Sequence, residues 1–176
     1  ELAMHCASIT AGLLNVVIVI EQPQELEVFL KGATGLYREG DSKTLKTLPF
    51  LGIRAKLSTA HGGHWGTTSG NKSKFGLNAA QILTAVNKLD AVGLLRHLAL
   101  LHFHVGSQIS TLSSVQDALA EGTALYAELH ASGAIGLRYL DIGGGLAIDY
   151  SGSCSDSPTS RQYSIDTYAL AVVGSV

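Results

Sequence analysis

Short apolar runs alternate with segments of helical periodicity along this chain. The predicted strands are residues 15–20, 49–57, a run that starts at Leu98 and ends at Gly106, and 137–142. The first of them is β-branched and almost wholly apolar, which is typical of a strand covered on both faces in a parallel sheet.

Apolar side chains at helical spacing fill the segments between these runs. We predict helices over residues 1–14, 23–36, 79–92 and 114–131, and one that begins near Ile165. Pro23 suits the first turn of its helix, and Asn78 is expected to cap the next one. Polar stretches at 37–47, 58–75 and 149–162 read as loops. Four strands alternating with helices predict right-handed βαβ units and a parallel sheet, so the fold class is α/β.

Bulk composition narrows the range of functions. The chain has 176 residues, of which 46% are hydrophobic and 15% are charged, so it can bury a core. A net charge of -2 gives no reason to expect nucleic acid or an anionic membrane as a partner. Cys6 and Cys154 lie far apart and form no disulfide framework, which favours a reducing compartment. Both ends of the sequence fall within apolar helical patterns, and we expect an internal fragment of a longer chain.

Candidate chemistry follows two of the predicted strands. His102 and His104 share one strand face with Leu100, at the carboxyl end of the run, where α/β folds build their sites. The strand at 137–142 ends in the three glycines 143–145. Backbone N–H groups without a neighbouring Cβ can approach an anion closely. The two strand ends therefore predict a pocket for a flat, phosphorylated cofactor.

A zinc site is a competing interpretation of the histidines. His102 and His104 have the spacing of two ligands on one strand face, but a catalytic zinc needs a third protein ligand. His61, His64 or Asp141 could supply it.

The glycines and their neighbours also allow simpler interpretations. Residues 143–145 do not belong to a G-x-G-x-x-G motif, since position 148 is Ile148, and a tight turn is the alternative explanation for them. Ser107 lacks a G-x-S-x-G context, so a hydroxyl donor to phosphate is favoured over a nucleophile. Arg54, at the end of the second strand, is either a site residue or a solvated terminus. Lys72 and Lys74 are either an anion clamp or solvated.

Several segments of the chain resemble segments of one enzyme family, and they follow one another in the same order. Two motifs, Phe103-His104-Val105-Gly106-Ser107 and Asp141-Ile142-Gly143-Gly144-Gly145, resemble the pyridoxal-phosphate decarboxylases of the alanine-racemase-like fold. The Gly/His/Ser/Lys-rich loop before Phe75 is similar to that of the biosynthetic arginine decarboxylases of plants and bacteria. The matching segments are 15–26, 52–57, 63–77, 101–108 and 139–150.

The resemblance implies a fold, a cofactor and a reaction. Residues 1–176 would be part of a pyridoxal-phosphate-binding (β/α)8 TIM barrel, about four βα units of it. The enzyme would decarboxylate L-arginine to agmatine and CO2 in polyamine biosynthesis, with pyridoxal 5′-phosphate as cofactor and Mg²⁺ as a second candidate. His104 would lie against the pyridine ring, Arg54 near the cofactor, and Ser107 with Gly143, Gly144 and Gly145 on its phosphate.

The chain also departs from the family pattern. The lysine that anchors the cofactor would lie upstream of residue 1, since none of the lysines here stands in its motif, so this stretch is expected to be inactive alone. Ala147 and Ser151 replace a glycine and an aspartate of the family, and residues 31–47 match poorly. The resemblance further implies a homo-oligomer in the cytoplasm or a plastid. The alternatives are a decarboxylase of ornithine, diaminopimelate or carboxynorspermidine, a zinc hydrolase barrel that uses His102 and His104, and a non-catalytic binding relative.

Overall fold

Four parallel strands form one sheet in the order β1-β2-β3-β4. The structure is a computed structural model that describes residues 16–36, 48–59, 73–150, 152 and 163–176. The strands are β1 (Val17–Ile20), β2 (Phe50–Arg54), β3 (Leu98–His102) and β4 (Tyr139–Asp141). Because they are parallel and adjacent in sequence order, their carboxyl ends meet at one edge of the sheet. The predicted α/β class with a parallel sheet is confirmed.

Helices follow the strands as the apolar periodicity predicts. They are α1 (Pro23–Leu36), α2 (Ala79–Ala91), α3 (Leu112–Ala131) and α4 (Ile165–Gly174), with a 3₁₀ turn at Leu95–His97 before β3. Asn78 caps α2 in a capping box, since its side chain accepts the Gln81 N–H (2.9 Å) and the Gln81 side chain accepts the Asn78 N–H (3.0 Å). No helix in the described ranges is both long and apolar enough to cross a membrane.

The core lies between the sheet and the helices. Leu51, Leu101 and Phe103 are completely buried, and each such side chain contributes about 1.5–3 kcal/mol through the hydrophobic effect. Gly122 in α3 lets the helix approach β3 closely, because a Cβ at that position would overlap the ring of Phe103. The rest of the buried face of α3 consists of Val115, Ala118, Leu119 and Leu129.

Several strand predictions are wrong in detail. The strands predicted at 49–57 and 137–142 are shorter, Phe50–Arg54 and Tyr139–Asp141. The strand from Leu98 ends at His102 rather than at Gly106, where φ is +145° and the backbone has left the sheet. The expectation that the first strand is covered on both faces also fails, since Val19 is 37% exposed while Ile20 is buried. The Ile20 side chain packs on the core, whereas the Val19 side chain on the opposite face is exposed. The predictions for residues 1–14 and 37–47, for most of 58–75, and for 153–162 fall outside the described residues.

His97 should make the stability of the fold depend on pH. The imidazole is only 7% exposed, and within the described part of the chain its Nδ1 has no hydrogen-bond partner. Burial, and next the charge of Arg96, lower the pKa of His97 below its usual 6.5. The unfolded chain therefore binds the proton more readily than the folded one. The free energy of unfolding should have its full value above about pH 6.5 and should decrease as the pH falls towards the lowered pKa.

Urea unfolding of the wild type and of His97→Phe at pH 7.5 and 5.5 measures this effect. The wild type should lose more stability than the variant between the two pH values. An equal loss in both proteins would contradict the role of His97.

Candidate active site

Polar side chains stand where each of the four strands ends. Glu21 follows β1, Arg54 ends β2, His102 ends β3 and Asp141 ends β4. In the sheet register Arg54 lies opposite His102, and His102 lies opposite Asp141. The carboxyl edge of the sheet therefore carries a continuous row of ionisable groups, in the place where α/β proteins bind ligands.

Arg54 is held in place rather than free in solvent. Its guanidinium forms an ion pair with Glu21 and lies 5.0 Å from the centre of the Phe75 ring. The arginine and glutamate side chains are 22% and 31% exposed, so both are partly removed from water. This placement argues against the solvated-terminus interpretation of Arg54. Glu21 was missed from the sequence, although it directly follows a predicted strand at the edge where sites form.

His104 is half-buried two residues beyond the end of β3. Burial lowers the pKa of its imidazole most, and the charges of Arg54 and His102 lower it further, whereas the charge of Asp141 raises it. The ring is therefore neutral at pH 7.

Gly143 lies close beside this same histidine. A Cβ at Gly143 would stand 2.9 Å from His104 Nδ1 and 2.8 Å from the carbonyl oxygen of Phe103, and φ is +71°. Only glycine fits here without strain, because both the backbone angle and the space exclude a side chain. The end of β3 and the glycine loop are thus in direct contact.

The other two glycines have different surroundings. Gly145 has φ +112°, and a Cβ there would overlap the carbonyl oxygen of Gly106, while Ile109 donates its N–H to Gly145 O (2.9 Å). Gly144 is exposed, and nothing lies within 4 Å of the position of its Cβ. Among the described residues no protein acceptor pairs with the Gly144 N–H. Bare, uncovered backbone beside a neutral imidazole fits a phosphate attached to a flat ring.

Ser107 lies in the loop that contacts the glycines. It is exposed and stands between Gly106 and Gln108, whose φ is +56°. Within the described ranges its hydroxyl makes no protein hydrogen bond, so it is available to a ligand. Lys74 is exposed, with Nζ 5.3 Å from the centre of the Phe75 ring, and Lys72 lies outside the described residues.

Two side chains that the sequence did not reveal join the loops after β3 and β4. The Gln108 amide donates to Ile148 O (2.5 Å) and accepts the Ile148 N–H (3.1 Å). The buried Tyr163 hydroxyl donates to Ile109 O (2.6 Å) and accepts the Ala147 N–H (3.2 Å). These bonds connect residues 16 to 54 positions apart, and no local motif signals them.

His102 is directed at an acidic neighbour. Its Nδ1 lies 3.1 Å from Asp141 Oδ2, and Asp141 Oδ1 accepts the Gly143 N–H at 2.8 Å. The described part of the chain contains no group of three His, Cys, Asp or Glu side chains placed to hold a metal ion. His61 and His64, the other ligands of the zinc hypothesis, lie outside the described residues.

Comparisons with known proteins identify the family. A family model for the pyridoxal-binding domain of pyridoxal-dependent decarboxylases matches residues 13–171. The chain is 50% identical over 165 residues to arginine decarboxylase of Solanum lycopersicum, covering 93% of this chain and 31% of that protein. It is 49% identical over 164 residues to the chloroplastic arginine decarboxylase 1 of Arabidopsis thaliana, covering 93% of this chain and 22% of that protein.

A solved structure agrees with these relatives. The biosynthetic arginine decarboxylase of Campylobacter jejuni has a TM-score of 0.76 at 29% identity, covering 99% of this chain and 25% of that one. The chain spans less than a third of the length of each of these relatives. Both the resemblance drawn from the sequence and the predicted TIM-barrel class are confirmed, and the four described strands form an open sheet. The chain belongs to the pyridoxal-dependent decarboxylases, and residues 13–171 match the pyridoxal-binding domain of that family.

Proposed function

We propose that the protein carrying this chain decarboxylates L-arginine to agmatine and CO2, with pyridoxal 5′-phosphate as cofactor, in polyamine biosynthesis. The observation that carries the proposal is the contact between Gly143 and the neutral imidazole of His104 at the carboxyl edge of the sheet. The arginine substrate is supported by the relatives that are named arginine decarboxylases. Residues 1–176 would form part of the barrel domain that binds the cofactor.

The residues present fit this cofactor. The open backbone at Gly144, flanked by Gly143 and Gly145, would bind the phosphate together with the exposed Ser107 hydroxyl. His104 would lie against the ring. The chemistry supplied by the bound cofactor is electron withdrawal by its protonated pyridine ring when CO2 leaves the amino acid.

The protein side chains would orient the ring and set its electrostatic surroundings. A neutral His104 can lie flat on a cationic ring without adding a second positive charge, and a fixed ring keeps the breaking bond aligned. Burial lowers the pKa of that imidazole most, and the charge of the Arg54 guanidinium, which Glu21 and Phe75 hold, lowers it further. We therefore assign Arg54 the role of a fixed charge near the cofactor.

Assembly and location belong to the same proposal. We infer a homo-oligomer, by the family resemblance, located in the cytoplasm or a plastid. The relative from Arabidopsis thaliana is chloroplastic, which supports the plastid if the source is a plant.

Release of CO2 from carboxyl-labelled amino acids tests the reaction. The full-length protein is supplied with pyridoxal 5′-phosphate, with and without Mg²⁺, and with arginine, ornithine, diaminopimelate or carboxynorspermidine. We expect kcat/KM for arginine to exceed the others by about 10²-fold or more, since a site built for a guanidinium leaves polar groups unpaired with substrates that lack one. Equal or faster turnover of another amino acid would contradict the arginine assignment. One tightly bound zinc per chain with hydrolase activity would support the zinc barrel instead.

A further inference from the structure

One acidic residue joins the ends of β3 and β4 to the glycine loop. Asp141 Oδ1 accepts the Gly143 N–H (2.8 Å), and Oδ2 lies 3.1 Å from His102 Nδ1. The backbone oxygen of Asp141 accepts the Phe103 N–H (3.0 Å) and lies 3.2 Å from the same His102 nitrogen. Asp141 therefore contacts both residues that precede His104 and the first glycine that follows β4.

Gly143 neighbours both this carboxylate and His104. Its N–H is bound by Asp141 Oδ1. The position that a Cβ would take lies 2.9 Å from His104 Nδ1, so the glycine backbone runs close beside the imidazole. Movement of Gly143 away from Asp141 breaks a hydrogen bond to a carboxylate, which is among the stronger kinds in proteins.

The exposure of these two side chains indicates that they affect the placement of the glycine loop more than the free energy of unfolding. The Asp141 side chain is 50% exposed and that of His102 is 19% exposed. A polar contact with a half-exposed partner contributes little to the free energy of unfolding, because water competes for both groups. A variant that loses this carboxylate should therefore fold, and its defect should appear in the placement of the loop.

We propose that Asp141 is a positioning residue that sets the distance between the glycine loop and the His104 imidazole, with His102 as the support that orients its carboxylate. A cofactor held at its phosphate by the loop and at its ring by the imidazole needs this distance to be fixed. The inference rests on the proposed function, because it concerns the same cofactor.

Titration of the full-length apoprotein with pyridoxal 5′-phosphate and with pyridoxal, which lacks the phosphate, tests the inference. Asp141→Ala should weaken pyridoxal 5′-phosphate binding about 10-fold or more, and pyridoxal binding much less, since only the phosphate uses the loop. Asp141→Asn should lose only about 3-fold, because its amide oxygen can still accept the Gly143 N–H. Hydrogen exchange at the Gly143 amide of the apoprotein should speed up in Asp141→Ala.

Two variants of His102 test whether its side chain orients the Asp141 carboxylate. His102→Asn keeps a nitrogen donor near the position of Nδ1 and should bind the cofactor like the wild type, whereas His102→Ala should bind it more weakly. This pair, together with Asp141→Asn, tests the positioning role of Asp141 even if Asp141→Ala does not fold.

The outcomes separate this inference from the proposed function. If Asp141→Ala binds the cofactor as the wild type does, or loses pyridoxal 5′-phosphate and pyridoxal affinity equally, the positioning role is wrong and the proposed function stands. Equal affinities in His102→Asn and His102→Ala would overturn the supporting role. A wild-type protein that fails to bind pyridoxal 5′-phosphate would overturn the proposed function itself.

Discussion

Replacing Gly145 with alanine is expected to lower the free energy of unfolding by about 3 kcal/mol or more. The new Cβ would overlap the carbonyl oxygen of Gly106, which is backbone and cannot rotate aside. The φ of +112° adds strain, because L side chains rarely adopt it. The loops after β3 and β4 would have to separate, which also weakens the bond from Ile109 N–H to Gly145 O.

Gly144→Ala is the matched control for stability. The same methyl group at Gly144 meets nothing within 4 Å, and its φ is not positive, so the change should stay within about 0.5 kcal/mol. Urea unfolding followed by circular dichroism compares the two variants. If both variants unfold at the same urea concentration, Gly145 is not packed against Gly106 as described.

Replacing His104 with alanine is expected to lower kcat for arginine about 10²-fold, which is the cost of losing the orientation of a reacting group. The effect on the affinity for pyridoxal 5′-phosphate should be smaller, since the phosphate contacts at the glycine loop remain. The imidazole is neutral at pH 7, so the expected loss comes from contact with the ring and not from a missing charge.

His104→Phe separates stacking from proton transfer. A phenyl ring can lie against the cofactor but can neither accept nor donate a proton. If stacking is the role, kcat should recover to within about 10-fold of the wild type. Activity as low as that of His104→Ala would show that an imidazole nitrogen takes part in the reaction. Single-turnover measurements at saturating cofactor distinguish this loss from weaker binding.

Much of the fold could be predicted because its signals are local. Pro23, Asn78 and Gly93 mark helix ends through their own backbone preferences, and the apolar runs locate the four strands. The carboxyl limits of β3 and β4 could not be predicted to the residue, because the backbone leaves the sheet where the two glycine-containing loops pack on each other. That packing depends on residues about 40 positions apart, such as Gly106 and Gly145.

The position of the candidate site could also be predicted, but its detailed contacts could not. Parallel strands bring His104 and residues 143–145 to one edge. Because β3 ends at His102, the alternation of side chains does not extend to His104, and the shared face of the two histidines stays a prediction. The sequence could not distinguish the three glycines, because only their surroundings show that Gly144 is open while its neighbours are packed. Nor could it pair Glu21 with Arg54, since that contact depends on rotamers of residues 33 positions apart.

The close packing of α3 on the end of β3 limits which substitutions α3 can accept. The Phe103 ring occupies the space that Gly122 leaves free, and Phe103 lies directly between His102 and His104 in the chain. Any substitution that lifts this helix by the width of a methyl group must also shift the backbone that carries both imidazoles. The carboxyl edge of the sheet, where the candidate site lies, is thus coupled to the position of α3 through the Phe103 ring.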